Sequence, residues 1–276
     1  VVPTALPYAP DRSFAPVSTS ALCHCPAVLI ASIAWRPGTT VTPVQTEISL
    51  PADDGFSLPG VLTVPDGPDG PGPALVMIYE AFGMNDEMRR VARDLAAEGY
   101  AVLIPDLFAR GRVKGLCVAR AMRTVLRGSG RELDDIEAGR RWLGARPEVD
   151  ADRIGTIGFC LGGSFALLLA GSGRYKVSAP FYNVPLKVSR SCPMVASYGG
   201  RDLTTRGFGD RLDARLEELG VPHDVRTYPD AGHSFFSRPP GLLGAMTRYS
   251  PFRAEYHAPS AEDAHRRIVA FFREHL

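Results

Sequence analysis

The chain has 276 residues, enough for one large domain or two small ones, with the 45 % apolar and 22 % charged content of an ordinary globular protein. A net charge of +1 gives no electrostatic case for nucleic acid or an anionic membrane, and no apolar run is long enough to span a bilayer. Five cysteines are an odd number without the density of a disulfide scaffold, which fits a reduced, cytoplasmic setting.

Residues 1–43 carry many Pro, Ser, Thr and Ala without a sustained period and read as a poorly ordered extension. The apolar run Ala27 to Trp35 has no basic segment before it and no small-residue cleavage site after it, so a secretory signal is not expected. Cys23-His24-Cys25 suggests a metal, but a site needs three or four spaced ligands and no second cluster is present. No metal is therefore expected there.

A single domain is expected over 44–276. Gln45 to Leu50 and Gly60 to Val64 read as a hairpin around Asp53-Asp54-Gly55. Asp66 to Pro73 is a loop, and Ala74 to Tyr79 is a continuous apolar strand of the kind buried on both faces. Asn85 to Glu98 has helical spacing and is stopped by Gly99. Ala101 to Ile104 is the next buried strand. Residues 116 to 127 have the pattern of a basic amphipathic helix, read as a lid or cap face ahead of a membrane-surface element. A helix over Glu132 to Gly144 has Leu133, Ile136 and Trp142 as core contacts. A strand from Ile154 and a helix over Ser164 to Ala170 follow. Val177 to Tyr182, Met194 to Tyr198 and Val225 to Tyr228 are strands, and Thr205 to Leu219 and Ala261 to Phe272 are helices. Apolar strands alternating with helices predict an α/β fold: a mostly parallel central sheet with helices on both faces and its ligand site beyond the carboxyl ends of the strands.

Candidate chemistry falls just after those strands. Gly158-x-Cys160-x-Gly162, between an apolar strand and an apolar helix, has the pattern of a nucleophile elbow with Cys in place of Ser. Small residues two before and two after let strand and helix approach, and the helix N-terminus favours a thiolate. Asp202 follows Met194 to Tyr198 and His233 follows Val225 to Tyr228. The order nucleophile, acid, His is that of α/β-hydrolases. Cys160 would attack a carbonyl, His233 would move the proton and Asp202 would orient the imidazole. Taken singly, Cys160 reads equally as a buried core thiol, Asp202 as a helix N-cap and His233 as a loop residue. The three together, in order and at strand ends, favour the triad. His24, His223, His257, His265 and His275 are weaker bases, with His257 kept open because it lies in a loop. The backbone N–H groups of Leu161 and Ala81 are the expected oxyanion donors. Glu80, directly after a buried strand, reads equally as solvated or functional.

Five stretches carry a resemblance: Tyr79-Glu80-Ala81-Phe82-Gly83, Pro105-Asp106-Leu107-Phe108-Ala109-Arg110, Gly158-Phe159-Cys160-Leu161-Gly162-Gly163, Tyr198-Gly199-Gly200-Arg201-Asp202 and Ala231-Gly232-His233-Ser234-Phe235. Over residues 45 to 275 the chain resembles the dienelactone hydrolases (carboxymethylenebutenolidases), compact α/β-hydrolases that open an enol-lactone without a cofactor. The resemblance implies a triad at Cys160, His233 and Asp202, and a Glu80 that holds the resting thiol and helps generate the thiolate. It also implies two arginines for the substrate carboxylate. One matches Arg110. The other falls where this chain has Ser237, with Arg238 one position later. The expected function is hydrolysis of a small ester or lactone, plausibly a dienelactone, through an acyl-enzyme, by a monomer with no nucleic-acid or membrane partner. A broader carboxylesterase or thioesterase acting on neutral esters is the first alternative, and a non-catalytic ligand-binding derivative is the second.

Overall fold

The computed structural model describes residues 42–66, 70–238, 241 and 246–276. The extension expected over 1–43, with Cys23-His24-Cys25 in it, lies outside the described residues but for its last two positions.

Eight strands make one sheet: β1 (Val44–Pro51), β2 (Ser57–Val64), β3 (Gly72–Ile78), β4 (Ala101–Pro105), β5 (Val149–Phe159), β6 (Ser178–Phe181), β7 (Met194–Gly199) and β8 (His223–Tyr228). The α-helices among the described residues are α1 (Asp86–Ala97), α2 (Lys114–Arg127), α3 (Arg131–Gly144), α4 (Leu161–Ala170), α5 (Phe208–Glu218) and α6 (Ala258–His275). The strand order is β1-β2-β4-β3-β5-β6-β7-β8. β1 and β2 form the expected hairpin, with Val44 opposite Val64 and Pro51 opposite Ser57, and β2 runs antiparallel to β4. Every other pairing is parallel.

Local sequence explains most of these elements. β4 and β7 are buried at every residue, which requires cover on both faces and accounts for their apolar runs, broken in β7 by the buried Ser197. α1 starts where the Asn85 side chain accepts a hydrogen bond from the Met88 N–H (3.0 Å), and it buries the stripe Met88, Val91, Ala92 and Leu95. α4 is buried at nine of its ten residues, as its composition, apolar but for Ser164, demands.

Two elements differ from expectation. β5 begins at Val149, ahead of the apolar run, where Val149 pairs with Gly72 of β3; the stretch between, with exposed Asp152 and Arg153, carries no apolar signal. α3 buries Ile136 and packs the partly buried Leu133 and Trp142 against the core, as expected, but it also buries Leu143, Glu132, Asp135 and Glu137. Each of these acids is paired with arginine: Glu132 with Arg120, Asp135 with Arg110, and Glu137 with Arg140 and Arg174. Pairing is what makes a buried carboxylate tolerable. No helix among the described residues is long and apolar enough to cross a membrane.

Candidate active site

The carboxyl ends of β3, β5, β6, β7 and β8 carry Glu80, Cys160, Tyr182, Asp202 and His233. The turn at Cys160 is set by close backbone approach. A methyl group on Gly158 would overlap the Gly162 carbonyl and lie 2.9 Å from the Gly163 nitrogen. One on Gly162 would overlap the Ile78 carbonyl and lie 2.6 Å from that of Tyr79. Strand, turn and helix are therefore pressed together as the Gly-x-Cys-x-Gly spacing predicts. Cys160 takes φ 55°, ψ −114° at the N-cap of α4. The other non-glycine residues with positive φ among the described residues are Tyr182, Ser234 and Arg253. Two of these neighbour the candidate residues directly, so backbone strain gathers at the site.

Asp202 is fully buried. The Thr204 N–H and hydroxyl donate to its Oδ1 (2.9 and 2.6 Å), and the Thr205 hydroxyl donates to Oδ2 (3.0 Å). The same Oδ2 lies 2.6 Å from His233 Nδ1. Burial alone would raise the Asp202 pKa, but the bond and charge of His233 and the Thr204 donors outweigh it and the pKa is lowered. The carboxylate can then only accept, so Nδ1 donates and Nε2 is left to face outward from the pair. Nε2 is buried and makes no hydrogen bond of good geometry. Burial disfavours the imidazolium, yet Cys160 and Asp202 together raise its pKa. His233 and Asp202 are thus directly paired, and Cys160 lies close enough to His233 to affect its pKa.

Residues 250–257 strap this arrangement down. Pro251 O accepts from Leu203 N (3.1 Å), Phe252 O from His233 N (2.9 Å), and Phe235 O from His257 N (3.0 Å). The Phe252 ring meets the His233 ring edge-on at 5.1 Å. Beneath, Phe159, Phe181 and Phe236 pack with centroids 4.9–5.3 Å apart. His257, the base candidate kept open, bonds Ser260 through Nδ1 at the start of α6.

Glu80 is 1 % exposed. Its Oε1 accepts from the Ser237 hydroxyl (2.7 Å) and the Tyr182 hydroxyl (3.1 Å). The Glu80 pKa is raised, because burial outweighs the Ser237 bond, the His233 charge and the other hydroxyl donors. Ser237 and Tyr182 were not anticipated as site residues, although Tyr182 is visible in sequence as the last residue of an apolar strand. A carboxyl with a raised native pKa supports the fold most when protonated, and that support fades as pH rises through the native value. Glu80→Gln, neutral and near-isosteric, is therefore expected to match wild-type Tm near pH ~4 and to equal or exceed it near pH ~8. A variant Tm that falls further below wild type at the higher pH contradicts this.

A model of the dienelactone hydrolase family matches residues 58–276. The chain belongs to the dienelactone hydrolase family. It is 32 % identical over 228 residues to a carboxymethylenebutenolidase of Rhodococcus opacus, covering 75 % of this chain and 83 % of the relative. The solved structure called m3DLH has a TM-score of 0.72 at 26 % identity, covering 85 % of this chain and 99 % of that one. A dienelactone hydrolase-like promiscuous phosphotriesterase from metagenomic libraries shares the fold, with a TM-score of 0.70 at 22 % identity over 85 % of this chain and 99 % of the other. The fold is that of the α/β-hydrolases, and the chain is a hydrolase.

Within this dienelactone hydrolase-family chain the two arginines are engaged. Arg110, its side chain 8 % exposed, makes paired hydrogen bonds to Asp135 (2.8 and 2.9 Å) and to Asp54 (2.8 and 2.9 Å) and lies 4.1 Å from the Phe56 ring centroid. Two carboxylates and an aromatic face thus occupy the guanidinium expected to meet a substrate. Arg238 lies over Tyr256 (4.1 Å to the ring centroid), its backbone N–H bonded to Glu87 (3.0 Å), with its side chain 58 % exposed. Ser237, where the resemblance places the second arginine, is fully buried and bonded to Glu80.

Proposed function

We propose that the chain hydrolyses small carboxylic esters or lactones through a thioester on Cys160. The observation that carries this reading is the 2.6 Å contact between His233 Nδ1 and Asp202 Oδ2, with Cys160 the group whose charge most raises the imidazole pKa. His233 takes the thiol proton, and Asp202 holds the imidazolium. The Cys160 sulfur bonds to the ester carbonyl carbon, and the negative charge collects on the carbonyl oxygen. The N–H of Leu161, in the first turn of α4 where no i−4 acceptor exists, and that of Ala81 after β3 are the donors for that oxygen. The carbon–oxygen single bond then breaks, and the leaving oxygen takes the His233 proton. Water repeats the sequence: His233 removes its proton, its oxygen bonds to the acyl carbon, and the thiolate leaves. Glu80, buried beside His233 with a raised pKa, can keep a proton at the site while His233 and Asp202 carry these transfers.

A second reading, preference for neutral substrates, rests on Arg110. A guanidinium already paired with Asp54 and Asp135 has no net charge to offer a substrate carboxylate without breaking those pairs. kcat/KM on a neutral aryl or alkyl ester is therefore expected to exceed that on a carboxylate-bearing dienelactone by about tenfold or more. Comparing the two substrates on the purified protein checks this. Faster turnover of the dienelactone contradicts the preference and leaves the acyl-enzyme chemistry standing. Turnover of neither contradicts both.

A further inference from the structure

From Arg112 to Arg131 the chain has six basic residues and no Asp or Glu. The fold gathers four of them around one cavity. α2 ends at Gly128 (φ 67°), the chain reverses through Ser129 and Gly130 (φ 150°), and α3 begins at Arg131. The positive φ values require glycine at both ends of this turn, and a methyl group on Gly130 would also overlap the Thr124 hydroxyl. The turn brings Arg131 back beside the last two turns of α2. Arg120, Arg123, Arg127 and Arg131 then line a cavity of about 320 Å³ together with Thr124, Ser129 and Glu132. None of these residues belongs to the Cys160 site or to the segments that build it.

The charge balance in this cavity is one-sided. Glu132 is its one lining carboxylate, buried and paired with Arg120 and the Thr124 hydroxyl. That leaves three guanidinium groups in excess. Arg131 reaches Asp54 only at 4.0 Å, and Arg123 and Arg127 are exposed with no ion-pair partner among the described residues. Arginine is common in this chain, and most of the others among the described residues have a carboxylate partner, as at Arg90, Arg110 and Arg267. Arg112, Arg190, Arg201 and Arg206 have none among those residues, so it is the gathering of several unpaired guanidinium groups around one cavity that sets this cluster apart. The arrangement also works against stability. Arg120, Arg123 and Arg127 are spaced three and four apart on α2, where like charges repel, and Arg131 puts a cation at the positive end of α3. Choices that oppose local stability mark positions kept for another purpose.

We propose that this cavity is a binding site, separate from the hydrolytic site, for a small anion carrying phosphoryl groups. Guanidinium forks match phosphoryl oxygens in pairs, and an excess of three positive charges suits a di- or trianion better than a single carboxylate. The lining holds no aromatic ring on which a base could stack, so recognition falls on the charged end alone. Inorganic pyrophosphate is then a sufficient probe. The concave shape favours a small ligand over an extended surface, and the net charge of +1 supplies no general attraction to membranes.

The test is thermal unfolding of the full chain with increasing pyrophosphate at constant ionic strength, beside the double variant Arg123→Ala/Arg127→Ala. Wild type should show a saturable rise in Tm, about 3 °C or more at ten times the Kd. The double variant should lose that rise, keep wild-type ester hydrolysis, and have an unliganded Tm equal to or above wild type because a repulsion is removed. Titration calorimetry on wild type alone should give one site per chain. Three results would overturn the proposal: a wild-type Tm that responds to pyrophosphate no more than to sodium chloride, an unchanged response in the variant, or binding to anionic-lipid vesicles without a response to pyrophosphate. A lower unliganded Tm in the variant would overturn it too, by assigning these arginines to the fold.

Discussion

Cys160→Ala should lower kcat/KM on any ester the protein turns over by about 10⁴-fold or more, with Tm moved by only a few degrees. The size of the loss follows from the geometry. In the proposed mechanism His233 and Asp202 form a relay with one proton to move, and without the sulfur there is no atom on the elbow to form the thioester. Stability should hold because alanine at position 160 faces the same φ of 55° that cysteine faces, with a strain of about 1–3 kcal/mol in both. The lost sulfur belongs to a side chain only half-buried. Steady-state rates and a melting curve on one preparation check both halves. Activity within tenfold of wild type would move the nucleophile elsewhere. A collapse in Tm would make the activity loss uninformative, and Cys160→Ser, which keeps the shape, would then have to show the same loss.

Gly162→Ala should destabilise the fold by about 3–5 kcal/mol, a fall in Tm on the order of 10 °C. Helix propensity alone predicts the opposite sign, since alanine is favoured over glycine by about 1 kcal/mol inside a helix. The contact decides the matter. The added methyl would sit inside the Ile78 carbonyl and 2.6 Å from that of Tyr79, so α4 could accept it only by lifting off β3. Both partners are backbone and cannot rotate away. The same displacement would carry the Leu161 N–H from the place proposed for the oxyanion, so activity should fall in the folded fraction as well. A variant with wild-type Tm would contradict the close approach.

The sequence revealed what is local or periodic and concealed what is paired across long separations. The strands and the elbow were legible because both depend on neighbours: apolar runs for β3, β4 and β7, and glycine at fixed offsets from Cys160. α4 was expected from Ser164 and begins at Leu161, because packing against β3, β5 and β6 overrides the poor helix propensity of Gly162 and Gly163. The amino end of β5 escaped notice because Asp150 to Arg153 has no apolar pattern and is held by strand continuity. Pairings were invisible. Arg110 finds Asp54 at a separation of 56 residues, and Ser237 finds Glu80 at 157. A motif places a residue at the site but does not say which partner already holds it. Arg110 matches a substrate-binding position in sequence, and in the structure it is enclosed by Asp54, Asp135 and Phe56.

The central claim is that the reaction passes through an acyl group on Cys160. Rapid mixing of the protein with a nitrophenyl ester, acid quenching and mass spectrometry of the intact chain and its peptides test it most directly. The account predicts a burst of nitrophenol, one acyl group per chain and its assignment to the peptide containing Cys160, with neither burst nor adduct in Cys160→Ala. An adduct on Cys192, Cys117 or a serine, or full turnover by Cys160→Ala, would contradict it.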